Sequence, residues 1–215
     1  MLRILTINST NGAPRTRFPA DTPPSKETSV LQIIIQGRGG QGAQTAGNLL
    51  ASACFAEGRH VQSFASYGGA RRGTPVSSYI RVDDQPVGVR CDIERADAIL
   101  VFDATLLEGR LLATAHAGTL IVVNSGRSMD EWAARLPGYR VVPIDALAIS
   151  RRAGLGRIVN SALLGALARA IGTPTLAMLD HTLTERSPKL TDENLAACHE
   201  GWRAADALLT QGACA

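Results

Sequence analysis

The chain reads as an α/β protein: a Rossmann-like, doubly wound, mostly parallel sheet with helices on both faces and a helical C-terminal part. Three observations predict this. From Val30 onward, short continuous apolar runs alternate with helix-favouring stretches, the pattern of strands buried on both faces and joined by crossover helices. The first run, Val30 to Ile35, leads into the glycine-rich segment Gln36-Gly37-Arg38-Gly39-Gly40-Gln41-Gly42 and then into the Ala-rich stretch Ala43 to Glu57. After Asp145 the remaining pattern is mostly helical.

Residues 1–29 form an extension that precedes a single α/β domain, residues 30–215. Pro14, Pro19, Pro23 and Pro24 stand among Thr, Ser, Arg and Lys, which disfavours helix and sheet alike. The extension is either a disordered tail or an arm that wraps a partner. In the second case the strand-like Met1 to Ile7 adds a strand. Leu31 to Ile35 is the first buried strand. Ala43 to Glu57 is a helix, stopped at Gly58. His60 to Ser66 and Ser77 to Val82 are the next strands, with Pro86 to Val89 a hairpin return. Ala98 to Phe102 is a central strand followed by a helix over Thr105 to His116. Leu120 to Val123 and Tyr139 to Val142 complete the sheet. Helices follow over Ala146 to Arg152, Val159 to Ile171, Leu176 to Leu183 and Asp192 to Thr210.

Composition narrows the function classes. With 45% hydrophobic residues the chain buries an ordinary core. Only 4% are aromatic, which argues against a single-strand nucleic-acid binder that stacks bases. A net charge of +3 does not by itself imply nucleic acid. No apolar stretch approaches the roughly 20 residues of a membrane span, and the N-terminus does not read as a secretory signal. Cys54, Cys91, Cys198 and Cys214 are scattered, without a CxxC pair or cluster spacing. They read as free thiols of a cytoplasmic protein. His60, His116, His181 and His199 lack metal-ligand spacing.

The candidate site begins at the glycine segment. Glycines turn the backbone tightly and let it approach a ligand. The helix behind them presents unpaired N–H groups and the positive end of its dipole, which suits phosphate. A dinucleotide fold of this kind holds the ribose with an acidic residue about 20 positions on. Phe64-Ala65-Ser66-Tyr67 carries none, which counts against NAD and leaves an arginine-lined NADP site open. A second constellation, Tyr67-Gly68-Gly69-Ala70-Arg71-Arg72-Gly73, should lie at the same carboxyl edge of the sheet. Its guanidinium groups suit phosphate or carboxylate. Asn160, after Gly154 and Gly156, either faces the ligand cleft or serves capping or packing, and the second reading is favoured. Gly165 reads as a point of close helix approach.

Gly37 to Gly42 with Thr45-Ala46-Gly47, then Ser66-Tyr67-Gly68 and Arg72-Gly73, then Asn160 with Leu164-Gly165, resemble the gamma subunit, or gamma domain, of the 2-oxoacid:ferredoxin oxidoreductases. That group includes the pyruvate, ketoisovalerate, indolepyruvate and phenylglyoxylate enzymes. The resemblance runs from about Val30 to near the C-terminus and leaves residues 1–29 without a counterpart. It implies a subunit of a complex that oxidatively decarboxylates a 2-oxoacid with coenzyme A, giving acyl-CoA and carbon dioxide. It also implies that thiamine diphosphate, Mg and the iron–sulfur clusters sit on partner chains, with a flavin subunit in some assemblies. On that reading this chain has no catalytic residue and no metal ligand. Gly37, Arg38, Gly39, Gly40, Gln41, Gly42, Tyr67, Gly68, Arg71, Arg72 and Gly73 contact coenzyme A and help enclose the active site. Many members of the family have an acidic or other residue between Tyr-Gly and Arg-Gly, where this chain has Gly69-Ala70-Arg71, and the additional arginine meets either the phosphates of coenzyme A or a partner chain's carboxylate. A purely structural subunit is the remaining alternative.

Overall fold

A computed structural model of the chain describes residues 30–67, 73–187 and 189–212. The extension 1–29 and the positions Gly68, Arg71 and Arg72 lie outside the described residues. The first strand, β1 (Leu31–Arg38), enters helix α1 (Ala43–Ala56) through the glycine turn. It runs further than the apolar pattern indicates: Gly37 and Arg38 still pair with Val76 and Pro75 of the next ladder. Two strands follow, β2 (His60–Tyr67) and β3 (Pro75–Asp83), and then β4 (Ala98–Val101), β5 (Leu120–Asn124) and β6 (Arg140–Ile144). The six-stranded sheet has the order β2-β3-β1-β4-β5-β6.

Pairs β1–β4, β4–β5 and β5–β6 are parallel, whereas β3 is antiparallel to both β1 and β2. β2 therefore points the same way as β1, and β3 alone is reversed. The sheet is mostly parallel, as the alternating pattern predicts, but its second and third strands form a hairpin instead of a second crossover unit. β1 and β2 take both sides of β3, so no side remains for the hairpin return expected at Pro86 to Val89. That stretch is irregular. Just after it the chain meets the buried Arg81, whose guanidinium donates to the carbonyls of Cys91 at 2.9 Å and Asp92 at 3.4 Å.

The alternation along β1 explains its unbroken apolar run. Ile33 and Ile35 face one core, with Leu50 of α1 and with Leu163, Leu164 and Leu167 of α5 (Asn160–Ile171). Ile34 faces the other, with Ile99, Ile121 and Trp132. The first core is also covered by α6 (Leu176–Arg186) and α7 (Thr191–Gly212). The second is covered by short pieces: a 3-10 turn over Ala104–Leu106, α2 (Gly109–Leu112) and α3 (Met129–Arg135).

The expected helix over Thr105 to His116 is thus broken. Glu108 is extended and Gly109 has φ of +48°, a left-handed conformation that ends regular helix. α3 has no counterpart among the sequence expectations, although its start is encoded. Ser128 accepts from the backbone of Glu131, whose carboxylate accepts in return from the backbone of Ser128, a reciprocal cap. α4 (Ala146–Arg152) begins at Asp145, which accepts from the Ala148 N–H at 2.9 Å. α5 and α7 cross where both carry glycine. A Cβ on Gly165 would overlap the Cys198 carbonyl, and one on Gly201 would overlap that of Ala162. The close approach expected at Gly165 is what the fold uses.

Candidate functional site at the carboxyl edge of the sheet

The reversal of β3 brings the two glycine-bearing segments together. The hairpin carries Tyr67 at the end of β2 and Gly73 just before β3, on the edge where β1 ends. Gly39 donates to the Thr74 carbonyl at 2.9 Å, and Gly73 donates to the Gly39 carbonyl at 3.4 Å. Within the first turn, the Arg38 N–H donates to Oε1 of Gln41 at 2.7 Å and the Gln41 N–H donates to the Arg38 carbonyl at 2.9 Å. Gln41 is thereby bent back on its own turn.

The glycines have separate reasons. Gly40 has φ of +95° and open space around a would-be Cβ, so it is needed for conformation. Gly37 has Phe102 and Ala43 side-chain carbons 3.1 and 3.2 Å from the Cβ position, so it is needed for close packing of helix on strand. Gly42 combines both: φ is +89°, and a Cβ would overlap the Asn160 amide. Asn160 opens α5 and donates from Nδ2 to the Gly42 carbonyl at 3.4 Å. The packing role read from sequence is the observed one, and it places Asn160 against the glycine turn.

α1 starts at Gly42 with no side-chain cap and no acidic residue in its first turn. The positive end of its dipole is left for another group to use. The Tyr67 hydroxyl, on a side chain 55% exposed, bonds Oε1 of Gln44 in that same turn.

Arg38 differs from the free cation the sequence suggests. Its Nε donates to Oδ2 of Asp103 at 2.6 Å, Nη1 to the Gly73 carbonyl at 3.2 Å and Nη2 to the Thr105 hydroxyl at 2.9 Å. Asp103 Oδ1 accepts from the Thr105 hydroxyl at 2.6 Å and from the Thr105 N–H at 3.0 Å. Burial pushes the Asp103 carboxyl up, but the Thr105 hydroxyl, the Arg38 guanidinium and the Thr105 N–H together outweigh it, and its pKa lies below the ordinary value. Asp103 and Thr105 did not emerge from the sequence. The one available signal was their place directly after a buried strand, at the end where α/β sheets bind ligands. Beside Thr105 lies a cavity of about 370 Å³ floored by Leu107, Trp132 and Leu136, with Glu108 and Arg135 among its lining residues.

The described cysteines are free thiols. Burial raises Cys54 and Cys198 to about 12, which leaves neither suited to nucleophilic work. Among the described residues no cluster of His, Cys, Asp or Glu is arranged to hold a metal ion, and no helix is long and apolar enough to cross a membrane.

A glycine turn, the start of a helix without a side-chain cap, and the ends of a strand hairpin thus meet at one edge of an α/β sheet. Comparison with known proteins identifies this arrangement. Residues 32–204 match the pyruvate ferredoxin/flavodoxin oxidoreductase family, and the chain belongs to that family. The common gamma subunit of the pyruvate/ketoisovalerate oxidoreductases of Thermococcus kodakarensis is 36% identical over 178 residues, covering 80% of this chain and 96% of the relative. Pyruvate synthase subunit PorC of Methanocaldococcus jannaschii is 34% identical over 170 residues, covering 78% of this chain and 93% of the relative. The crystal structure of the pyruvate oxidoreductase subunit PORC of Thermotoga maritima superimposes with a TM-score of 0.71 at 28% identity, covering 81% of this chain and 96% of that one. The relatives matched along nearly their whole length are thus subunits of 2-oxoacid oxidoreductase complexes.

Proposed function

We propose that this chain is the gamma-type subunit of a 2-oxoacid:acceptor oxidoreductase, and that its carboxyl edge binds coenzyme A and helps enclose an active site held by partner chains. The observation that carries the reading is the joining of the two glycine segments over the uncapped start of α1, through Gly39–Thr74 and Gly73–Gly39. Backbone N–H groups at a helix start favour phosphate oxygens. Arg71 and Arg72 belong to the chain between Tyr67 and Gly73, so both arginines are tethered within a few residues of that edge. The ligand is drawn by their charge and by the dipole of α1, while Gly40 leaves open space beside the turn.

This chain supplies no nucleophile and no general base on this reading. Thiamine diphosphate with Mg, and the iron–sulfur clusters, belong to the catalytic partners, with ferredoxin or a flavin subunit receiving electrons. What the chain does is bind, orient and exclude water. A lone NADP-binding module fits the geometry less well. In a dinucleotide-binding sheet the second strand lies beside the first, whereas here β3 separates β2 from β1, a displacement of roughly 10 Å across two strand spacings.

The test is the apparent KM for coenzyme A of the assembled complex. Arg71→Ala combined with Arg72→Ala is expected to raise it by about tenfold or more, since a charge-assisted bond to phosphate contributes on the order of 1.5–3 kcal/mol. An unchanged KM leaves only a structural subunit.

A further inference from the structure

We infer that Asp103 and Thr105 are positioning residues for the anion site, acting through Arg38, and that Arg38 is a strut and not a phosphate ligand. The coenzyme A part of this inference rests on the reading above; the strut itself does not. In most open α/β sheets the crevice between the first strand and the one that starts the other half of the sheet receives the ligand. Here that crevice lies between β1 and β4, and the Arg38–Asp103 pair at 2.6 Å spans it. The guanidinium links three chain segments. Nε is held by Asp103 after β4, Nη2 by Thr105 in the next turn, and Nη1 reaches the Gly73 carbonyl at the foot of the hairpin loop.

Each partner has a distinct task. Thr105 uses its hydroxyl twice, donating to Asp103 Oδ1 and accepting from Arg38 Nη2. It therefore orients both members of the ion pair. Asp103 spends one oxygen on Thr105 and the other on Arg38, and so fixes the plane of the guanidinium. The fixed plane brings Nη1 to Gly73. Because Gly73 and Thr74 also bond Gly39, the strut sets the spacing between the two glycine segments.

The sign of the effect separates this from simple electrostatics. A carboxylate near a phosphate site repels the ligand, so charge alone predicts that Asp103→Asn tightens binding of coenzyme A. Positioning predicts the opposite. In the assembled complex Asp103→Asn and Thr105→Val are expected to raise the KM for coenzyme A by about tenfold, with the KM for the oxoacid unchanged and Thr105→Ser close to the parent. In the full chain both variants are expected to speed amide exchange at Gly39 and Gly73. A KM for coenzyme A that falls or stays level in Asp103→Asn and Thr105→Val, while the paired Arg71 and Arg72 substitutions raise it, overturns the inference and leaves the coenzyme A reading standing. If none of these substitutions moves that KM, the coenzyme A reading fails. Exchange at Gly39 and Gly73 then decides the strut alone: faster exchange supports it and unchanged exchange overturns it.

Discussion

Asp103 and Arg38 show how a residue's local context can leave out its partner. In the sequence Arg38 stands between glycines and reads as a cation offered to a ligand. In the fold its charge is already matched by a carboxylate 65 positions away. The glycines were legible because φ and close approach leave few other residues able to serve. The ion pair was not, because nothing local links positions 38 and 103. Its titration gives a direct check. The Asp103 pKa is held below the ordinary aspartate value of 3.8, so between the two values the unfolded chain binds more protons than the folded one. The stability contributed by this carboxylate is complete above 3.8 and is lost as pH falls through the lower folded value. Denaturant midpoints taken down a pH series past that value should fall more steeply for the parent than for Asp103→Asn. Parallel curves would show that the pair contributes nothing to folding.

At the scale of elements, most strands were legible from apolar runs, and α1 and α4 to α7 from their patterns and breakers. The misreadings were topological or local. The reversal of β3 has no sequence mark, since an antiparallel strand buried on both faces looks like a parallel one. The helix expected from Thr105 onward fails because Gly109 takes a left-handed conformation. α3 is short, and its signal lies in the Ser128–Glu131 cap more than in periodicity. The α5–α7 crossing gives the strongest expectation at this scale. Gly201→Ala forces a methyl group into the Ala162 backbone carbonyl, where no rotamer can yield. A loss of about 1–3 kcal/mol is expected in chemical denaturation. Adding Gly165→Ala should cost less than a second full increment, because both act at one crossing. Full additivity would mean the helices shift independently.

For the whole molecule, the unequal covering of the two faces and the open carboxyl edge describe a chain built to be joined by others. Tyr67 and Ile158 are 55% and 50% exposed. Tyr67 bonds the first turn of α1, and Ile158 lies two residues before Asn160, which touches Gly42. Tyr67 thus stands exposed at the start of α1, and Ile158 stands exposed just before the helix whose first residue touches Gly42. Surface substitution there should spare the fold and weaken assembly. Ile158→Asp is expected to leave the thermal midpoint of the lone chain within a degree or two while reducing recovery of co-expressed catalytic subunits in size-exclusion chromatography. Full recovery would place the contact surface elsewhere.

The single reversed strand has one more consequence. Because β2 and β3 are zipped by their own ladder from His60 with Asp83 to Tyr67 with Val76, the residues joining them hang from a closed seam. Lengthening, shortening or recoding that fingertip leaves every rung of the seam in register. Changes of length or sequence between positions 67 and 75 can therefore be made without shifting the pairing of the sheet beneath them.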